Sequence, residues 1–245
     1  MSKFRYDTHV HIDLYKNTQQ IIDYIEANKS YTIAVTNLPV LYKKYVLQYH
    51  SLKYVRFALG FHPELVFQYR DQLSLLLDSV KESKYIGEVG LDYVTKNPDN
   101  RDTQRFVFSK LVEECNNIGG KILSIHSRRA VKDVYSILGD AFDGKIILHW
   151  FSGSLSELKI AVNRGYYFSV NPDMFNSKNG KELIKNMPLD KILLESDAPF
   201  TQNTKKTYNL DFISSVETGI SDIKGLKEET VNLILKNNFK SLIQV

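Results

Sequence analysis

Two histidines, His9 and His11, stand one residue apart in Asp7-Thr8-His9-Val10-His11. On an extended strand, side chains two apart share a face, so both imidazoles can reach one metal ion. Asp7 shares that face and could orient a ring from behind, as carboxylates do for metal-bound histidine. A surface pair or a packed histidine explains such a motif equally well when it stands alone. The rest of the chain, however, repeats the design: an apolar run, then one metal-capable side chain. His126 follows Ile122-Leu123-Ser124-Ile125, and His149 follows Ile146-Ile147-Leu148. His62 follows Ala58-Leu59-Gly60-Phe61, where it could serve as ligand, substrate contact or helix cap.

Acids complete the set. Glu88 sits inside Tyr85-Ile86-Gly87-Glu88-Val89. A carboxylate there is costly to bury unless paired or metal-bound, and no basic residue lies within the run to pair it. Glu195 and Asp197 share parity after Ile192-Leu193-Leu194, and Asp197, further along, is the better ligand. Asp92 reads as a helix cap or a substrate contact. Of the 6 histidines, only His50 falls in an expected helix rather than at a strand end. Imidazole nitrogen with carboxylate oxygen suits Zn, Mn, Fe or Mg. His9, His11, Glu88, His126, His149 and Asp197 exceed what one tetrahedral ion needs, and two ions bridged by a carboxylate fit better. No convincing nucleophile–base pair accompanies them.

The elements that must carry these residues are short apolar strands. Strand-like runs cover 4–10, 32–36, 55–59, 85–89, 121–125, 145–148, 166–170 and 191–194. Several are apolar throughout, which suits a parallel sheet covered on both faces. Helix-like segments lie near 18–29, 39–50, 64–83, 102–118, 129–139, 154–164, 178–187 and 228–243. Thr18 is a candidate N-cap, Ser154 with Glu157 reads as a capping box, and Pro39 and Pro63 sit where a helix begins. Strand then helix, eight times over, predicts an α/β fold: a single-domain (β/α)8 TIM barrel over residues 1–245, whose strand ends meet at one mouth. An open doubly wound sheet is the alternative.

Composition sets the bounds. At 245 residues and 43% hydrophobic, the chain can bury one large core. The net charge of +4 fits an ordinary lysine-rich surface and is compatible with a polyanionic substrate. The 1 cysteine, Cys115, rules out an intramolecular disulfide and a cysteine-rich zinc site, and reads as a core residue. Met1-Ser2-Lys3-Phe4-Arg5 has no apolar signal region and no stretch is long and apolar enough for a membrane span, so a cytoplasmic location is expected. Trp150 reads as wall packing ahead of base stacking. Ser152-Gly153-Ser154 could offer N–H groups to a phosphate, or be a plain capped loop.

Longer motifs carry a likeness. DTHVHID (7–13), GFHP (60–63), IGEVGLDY (86–93), QRFVF (104–108), IHSRRA (125–130), LHWFSGS (148–154), YFSVN (167–171), LLESDAPF (193–200) and Asn238-Phe239 run in order along the chain. Together they resemble the TatD family of metal-dependent DNases, within the amidohydrolase-like barrels. VTNLP (35–39), HWFSG and FSVN followed by Met174 resemble the TatD-type nuclease of the Qat anti-phage defence system. The resemblance implies that His9, His11 and Asp197 hold one divalent metal ion (Mg, Mn or Zn), that His126 and His149 hold a second, and that Glu88 bridges them. It places His62 and Arg128 against the scissile phosphate and makes Asp197 the acceptor of the water's proton. It further implies a DNA substrate, 3′ to 5′ exonuclease action, and other proteins of a defence system as partners. After Phe200 the chain departs from the family's Arg- and Pro-containing loop with Gln202-Asn203-Thr204-Lys205-Lys206-Thr207. Lys205 and Lys206 there read as a solvated loop ahead of phosphate steering. Two rivals remain: an amide, ester or lactone hydrolase on the same barrel, and a catalytically quiet subunit of a defence complex. Glu88 stands where such hydrolases carry a modified lysine, which favours the nuclease.

Overall fold

The structure is a computed structural model that describes residues 4–205 and 207–244; Lys206, one of the two loop lysines, lies outside the described residues. Eight strands alternate with helices: β1 (Tyr6–Val10), α1 (Thr18–Ala27), β2 (Tyr31–Val35), α2 (Pro39–Gln48), β3 (Val55–Ala58), α3 (Pro63–Val66), α4 (Leu73–Val80), β4 (Tyr85–Gly90), α5 (Pro98–Ile118), β5 (Lys121–His126), α6 (Val131–Leu138), β6 (Gly144–His149), α7 (Leu155–Asn163), β7 (Tyr167–Val170), α8 (Lys178–Asn186), β8 (Ile192–Leu194), α9 (Asp211–Lys224) and α10 (Glu228–Ile243). Each expected strand forms, within two residues at either end. The chain divides into two compact units: Met1–Ala34 with Ser51–Arg56 and His149–Gln244, and Val35–His50 with Phe57–Leu148.

In the first unit β7 pairs with β8 in parallel, Phe168 opposite Ile192 and Val170 opposite Leu194. β1 pairs with β2, Tyr6 opposite Tyr31. β8 reaches β1 through Thr8, whose hydroxyl donates to the Leu194 carbonyl at 2.8 Å. Beyond the strands, the Asp197 N–H donates to the His9 carbonyl at 3.0 Å, and the His11 N–H to Ala198 at 2.8 Å. All of β1 is buried, polar residues included, as a strand covered on both faces requires. Tyr6 stacks on Phe239 of α10 with ring centroids 4.3 Å apart, closing one end of this core.

In the second unit β4 pairs with β5 and β5 with β6, again in parallel. Leu59, just past β3, bridges to Ile86 of β4. The approach here is so close that a Cβ on Gly60 would lie 1.6 Å from the Thr36 carbonyl oxygen, and only glycine fits.

Local signals act as their chemistry dictates, with four corrections. The Ser154–Glu157 capping box forms at α7, and Pro39 and Pro63 open α2 and α3. Thr18 is the first residue of α1 rather than its cap. Asn17 holds the cap position, and the Thr18 hydroxyl turns back to the Tyr15 carbonyl at 2.8 Å. The helix expected over 64–83 is broken into α3, a 3-10 turn at Arg70–Gln72, and α4. His50 lies in the turn after α2, not within the helix. α9, which pattern reading passed over, is a full helix.

Candidate metal centre

In the first unit the end of β1 and the segment after β8 bring His9, His11 and Asp197 together. The two Nε2 atoms are 3.2 Å apart, and Asp197 Oδ1 is 3.7 Å from each. Three donors about 2.1 Å from one tetrahedral ion are separated by roughly 3.4 Å, so the triangle has the size that a shared cation needs. All three are buried, and their donor atoms lie within 4.8 Å of one another. Asp197 reaches this position with φ +45°, a left-handed conformation that costs a non-glycine residue about 1 kcal/mol or more. Its N–H on the His9 carbonyl holds it there.

His149 lies flat on His9, ring centroids 4.0 Å apart and 9° from parallel. Its Nδ1 faces Glu195 Oε2 at 3.7 Å. Glu195 is fully buried and is tied down by the Trp150 N–H at 3.1 Å, Asn171 Nδ2 at 2.9 Å and the Ser169 hydroxyl. Three donors satisfy its buried oxygens. Trp150 contributes this main-chain contact from φ +37°, with its side chain part-buried.

Asp7 does not back a ring. Its Oδ1 accepts the N–H groups of His9 at 3.1 Å and Ser196 at 3.0 Å, and its Oδ2 accepts the Tyr208 hydroxyl at 3.0 Å. It ties the end of β1 to the segment after β8. Burial pushes its carboxyl up to about 7, against the pull of Ser196, His9 and Tyr208.

The second unit gathers His62, Glu88 and His126, whose donor atoms again lie within 4.8 Å of one another. Glu88 is 2% exposed. Its Oε1 is 2.6 Å from His126 Nδ1 and its Oε2 is 3.4 Å from His62 Nε2. Of its expected roles, His62 takes the cap. As N-cap of α3, its Nδ1 accepts the Glu64 N–H at 3.3 Å, which leaves the proton on Nε2, facing Glu88. His126 Nε2 is 2.8 Å from Asp92 Oδ2. Asp92 is buried, which raises its carboxyl, yet the bonds from His126 and Val94 and the nearby Arg128 charge bring it below its ordinary value. Arg128 itself is exposed, and its carbonyl accepts the Tyr93 N–H at 3.0 Å. Asp92 is therefore a histidine partner, and Glu195 a brace. Neither role shows in a pattern of strand ends, because each depends on what lies across the sheet.

Comparison with known proteins bears on this donor set. The model of the TatD related DNase family matches residues 6–244. The chain belongs to that family. Mouse TATDN3 is 32% identical over 157 residues, 62% of this chain and 53% of the mouse protein. Human deoxyribonuclease TATDN3 is 28% identical over 75% of this chain and 72% of its own length. YabD of Bacillus subtilis (strain 168), a metal-dependent hydrolase, is 27% identical over 98% of this chain and 99% of its own. The TatD homologue YjjV of Escherichia coli K12 superposes with a TM-score of 0.86 over 100% of both chains at 21% identity. The fold is the expected α/β (β/α)8 barrel of TatD proteins. The chain is a TatD-family metal-dependent hydrolase, and the imidazole and carboxylate clusters suit a metal ion. Among the described residues, no helix is long and apolar enough to cross a membrane.

Proposed function

We propose that this TatD protein hydrolyses phosphodiester bonds of DNA, releasing nucleotides from a 3′ end. The observation that carries the reading is the buried His9–His11–Asp197 triangle, whose 3.2 and 3.7 Å edges match one divalent ion. His9, His11 and Asp197 would hold one ion. Glu88 and His126 would offer donors for a second, a set to which the family likeness adds His149. Divalent cations at such a site polarise a phosphoryl oxygen and acidify water. Asp197 takes the proton of the water that attacks phosphorus as the P–O3′ bond breaks, and the O3′ oxygen leaves as a hydroxyl by taking a proton from solvent. His62, which keeps Nε2–H through its cap bond, and Arg128, whose guanidinium is exposed, donate to the phosphate oxygens. The VTNLP, HWFSG and FSVN stretches support a place in anti-phage defence beside partner proteins. The deciding experiment incubates the purified chain with 3′- and 5′-labelled single- and double-stranded DNA and RNA, with Mn or Mg and with chelator. Stepwise, chelator-sensitive shortening of DNA from the 3′ end supports the reading. Metal-dependent cleavage of small esters with intact nucleic acid overturns it.

A further inference from the structure

Asp92 takes no part in the reaction above, yet it is 1% exposed, and its N–H and both carboxylate oxygens are engaged. Its N–H donates to Gln104 Oε1 at 2.7 Å, and its Oδ1 accepts the Val94 N–H at 2.8 Å. Its Oδ2 is 2.8 Å from His126 Nε2. Gln104 is buried in turn, and its Nε2 donates to Asn100 Oδ1, one turn back on α5, at 2.8 Å. The imidazole is held as firmly. Gly90 pairs with His126 across β4 and β5, and the Leu91 N–H donates to the His126 carbonyl at 3.0 Å. A Cβ on Gly90 would fall 2.1 Å from that carbonyl oxygen, so the two strands meet at glycine distance. Carboxylate and ring thus approach each other on fixed backbones.

A histidine that binds a metal through one nitrogen must keep its proton on the other, and a carboxylate behind the ring secures this while raising the basicity of the ligating atom. His126 has Glu88 at Nδ1 and Asp92 at Nε2. We propose that Asp92 is a positioning residue for His126: it holds the Nε2–H tautomer and the ring plane, so that Nδ1 presents its lone pair beside Glu88 to a divalent cation. Gln104, from a motif the reaction leaves unused, fixes the backbone of Asp92 in turn. The inference rests on His126 being a metal ligand, and the experiment separates the two ideas.

The probe is zinc ion, titrated into full-length protein carrying 15N-labelled histidine. The His126 signals are identified by their loss in His126→Gln. Wild type should show Nε2–H with Nδ1 shifted on zinc binding. Asp92→Ala should weaken zinc binding at His126 by about 10- to 100-fold and lose the single tautomer. Asp92→Asn, whose single oxygen can accept from the Val94 N–H while its amide turns a donor toward His126 Nε2, should also lose the single tautomer and weaken zinc binding, with an unchanged circular dichroism spectrum to show that it folds. Asp92→Asn and Asp92→Ala proteins that bind zinc at His126 as tightly as wild type, with the tautomer intact, overturn this inference alone. A wild type whose His126 nitrogens do not respond to zinc overturns the metal-ligand reading and this inference with it.

Discussion

Asp197 carries the heaviest demand at the scale of single residues, since it is assigned both a metal and a proton. Asp197→Asn keeps the shape and removes the charge and the basicity. Loss of a positioned general base costs about 10^2- to 10^4-fold in rate, and loss of a charged ligand adds to it. Nuclease activity should therefore fall by at least ~10^2-fold with the far-ultraviolet spectrum unchanged. A variant within a factor of two of wild type would remove Asp197 from the mechanism. The buried thiol gives a check of a different kind. Cys115 is fully buried in α5, and desolvation pushes its thiol up to about 12. Only thiolate reacts, so at pH 8 the native protein should resist a thiol-specific disulfide reagent and react at once in denaturant. Rapid reaction of native protein would mean that this face of α5 opens. The sign is simple: a raised thiol pKa keeps the group protonated at pH 8, and reactivity returns when unfolding restores ordinary solvation.

Between residues and the whole lie the strands and helices, and here the sequence is most readable. Eight apolar runs became eight strands because a strand buried on both faces admits little but Val, Ile, Leu and aromatic residues. Their ends carried the visible chemistry for the same reason: a polar side chain in such a strand stands out. What stayed hidden was decided by contacts distant in sequence. α9 carries Gly219, a poor helix former, but its neighbour explains it: a Cβ there would meet the Phe175 ring at 2.5 Å, so packing outweighs propensity. The break between α3 and α4 has no proline or glycine to announce it. Asp7, expected behind a ring, serves the main chain of Ser196, 189 residues away. Glu195, of the same parity as Asp197, owes its role to Ser169 and Asn171 on and after β7. Two substitutions test the element-level account. Gly60→Ala must displace the Thr36 carbonyl and should destabilise the chain by more than about 4 kcal/mol or prevent folding, read as the urea midpoint or as soluble yield. Ser154→Ala removes only the α7 cap and should cost about 1 kcal/mol with activity intact. Equal midpoints for the two variants would contradict the account.

For the whole molecule, the consequence is that metal and stability are linked. Acids and imidazoles are held together in each of the two compact units, and an ion that binds them only when folded must stabilise the fold. At a free concentration 100 times the dissociation constant, one site adds about 2.7 kcal/mol. For a chain of this size, that raises the unfolding midpoint by roughly 5–10 °C. Chelator-treated protein should therefore melt lower than protein in Mn or Mg, and the gap should widen with metal concentration as mass action requires. Because each of the two units carries its own group of candidate ligands, the chelated protein need not melt in one step, and calorimetry is the measurement to use. His9→Ala should shrink the metal-induced shift, measured for each protein against its own chelated melting temperature, because the buried ring it removes both packs on His149 and offers a donor to the ion. A shift of the same size in His9→Ala and wild type would place the stabilising ion elsewhere and leave the β1 histidines as packing alone.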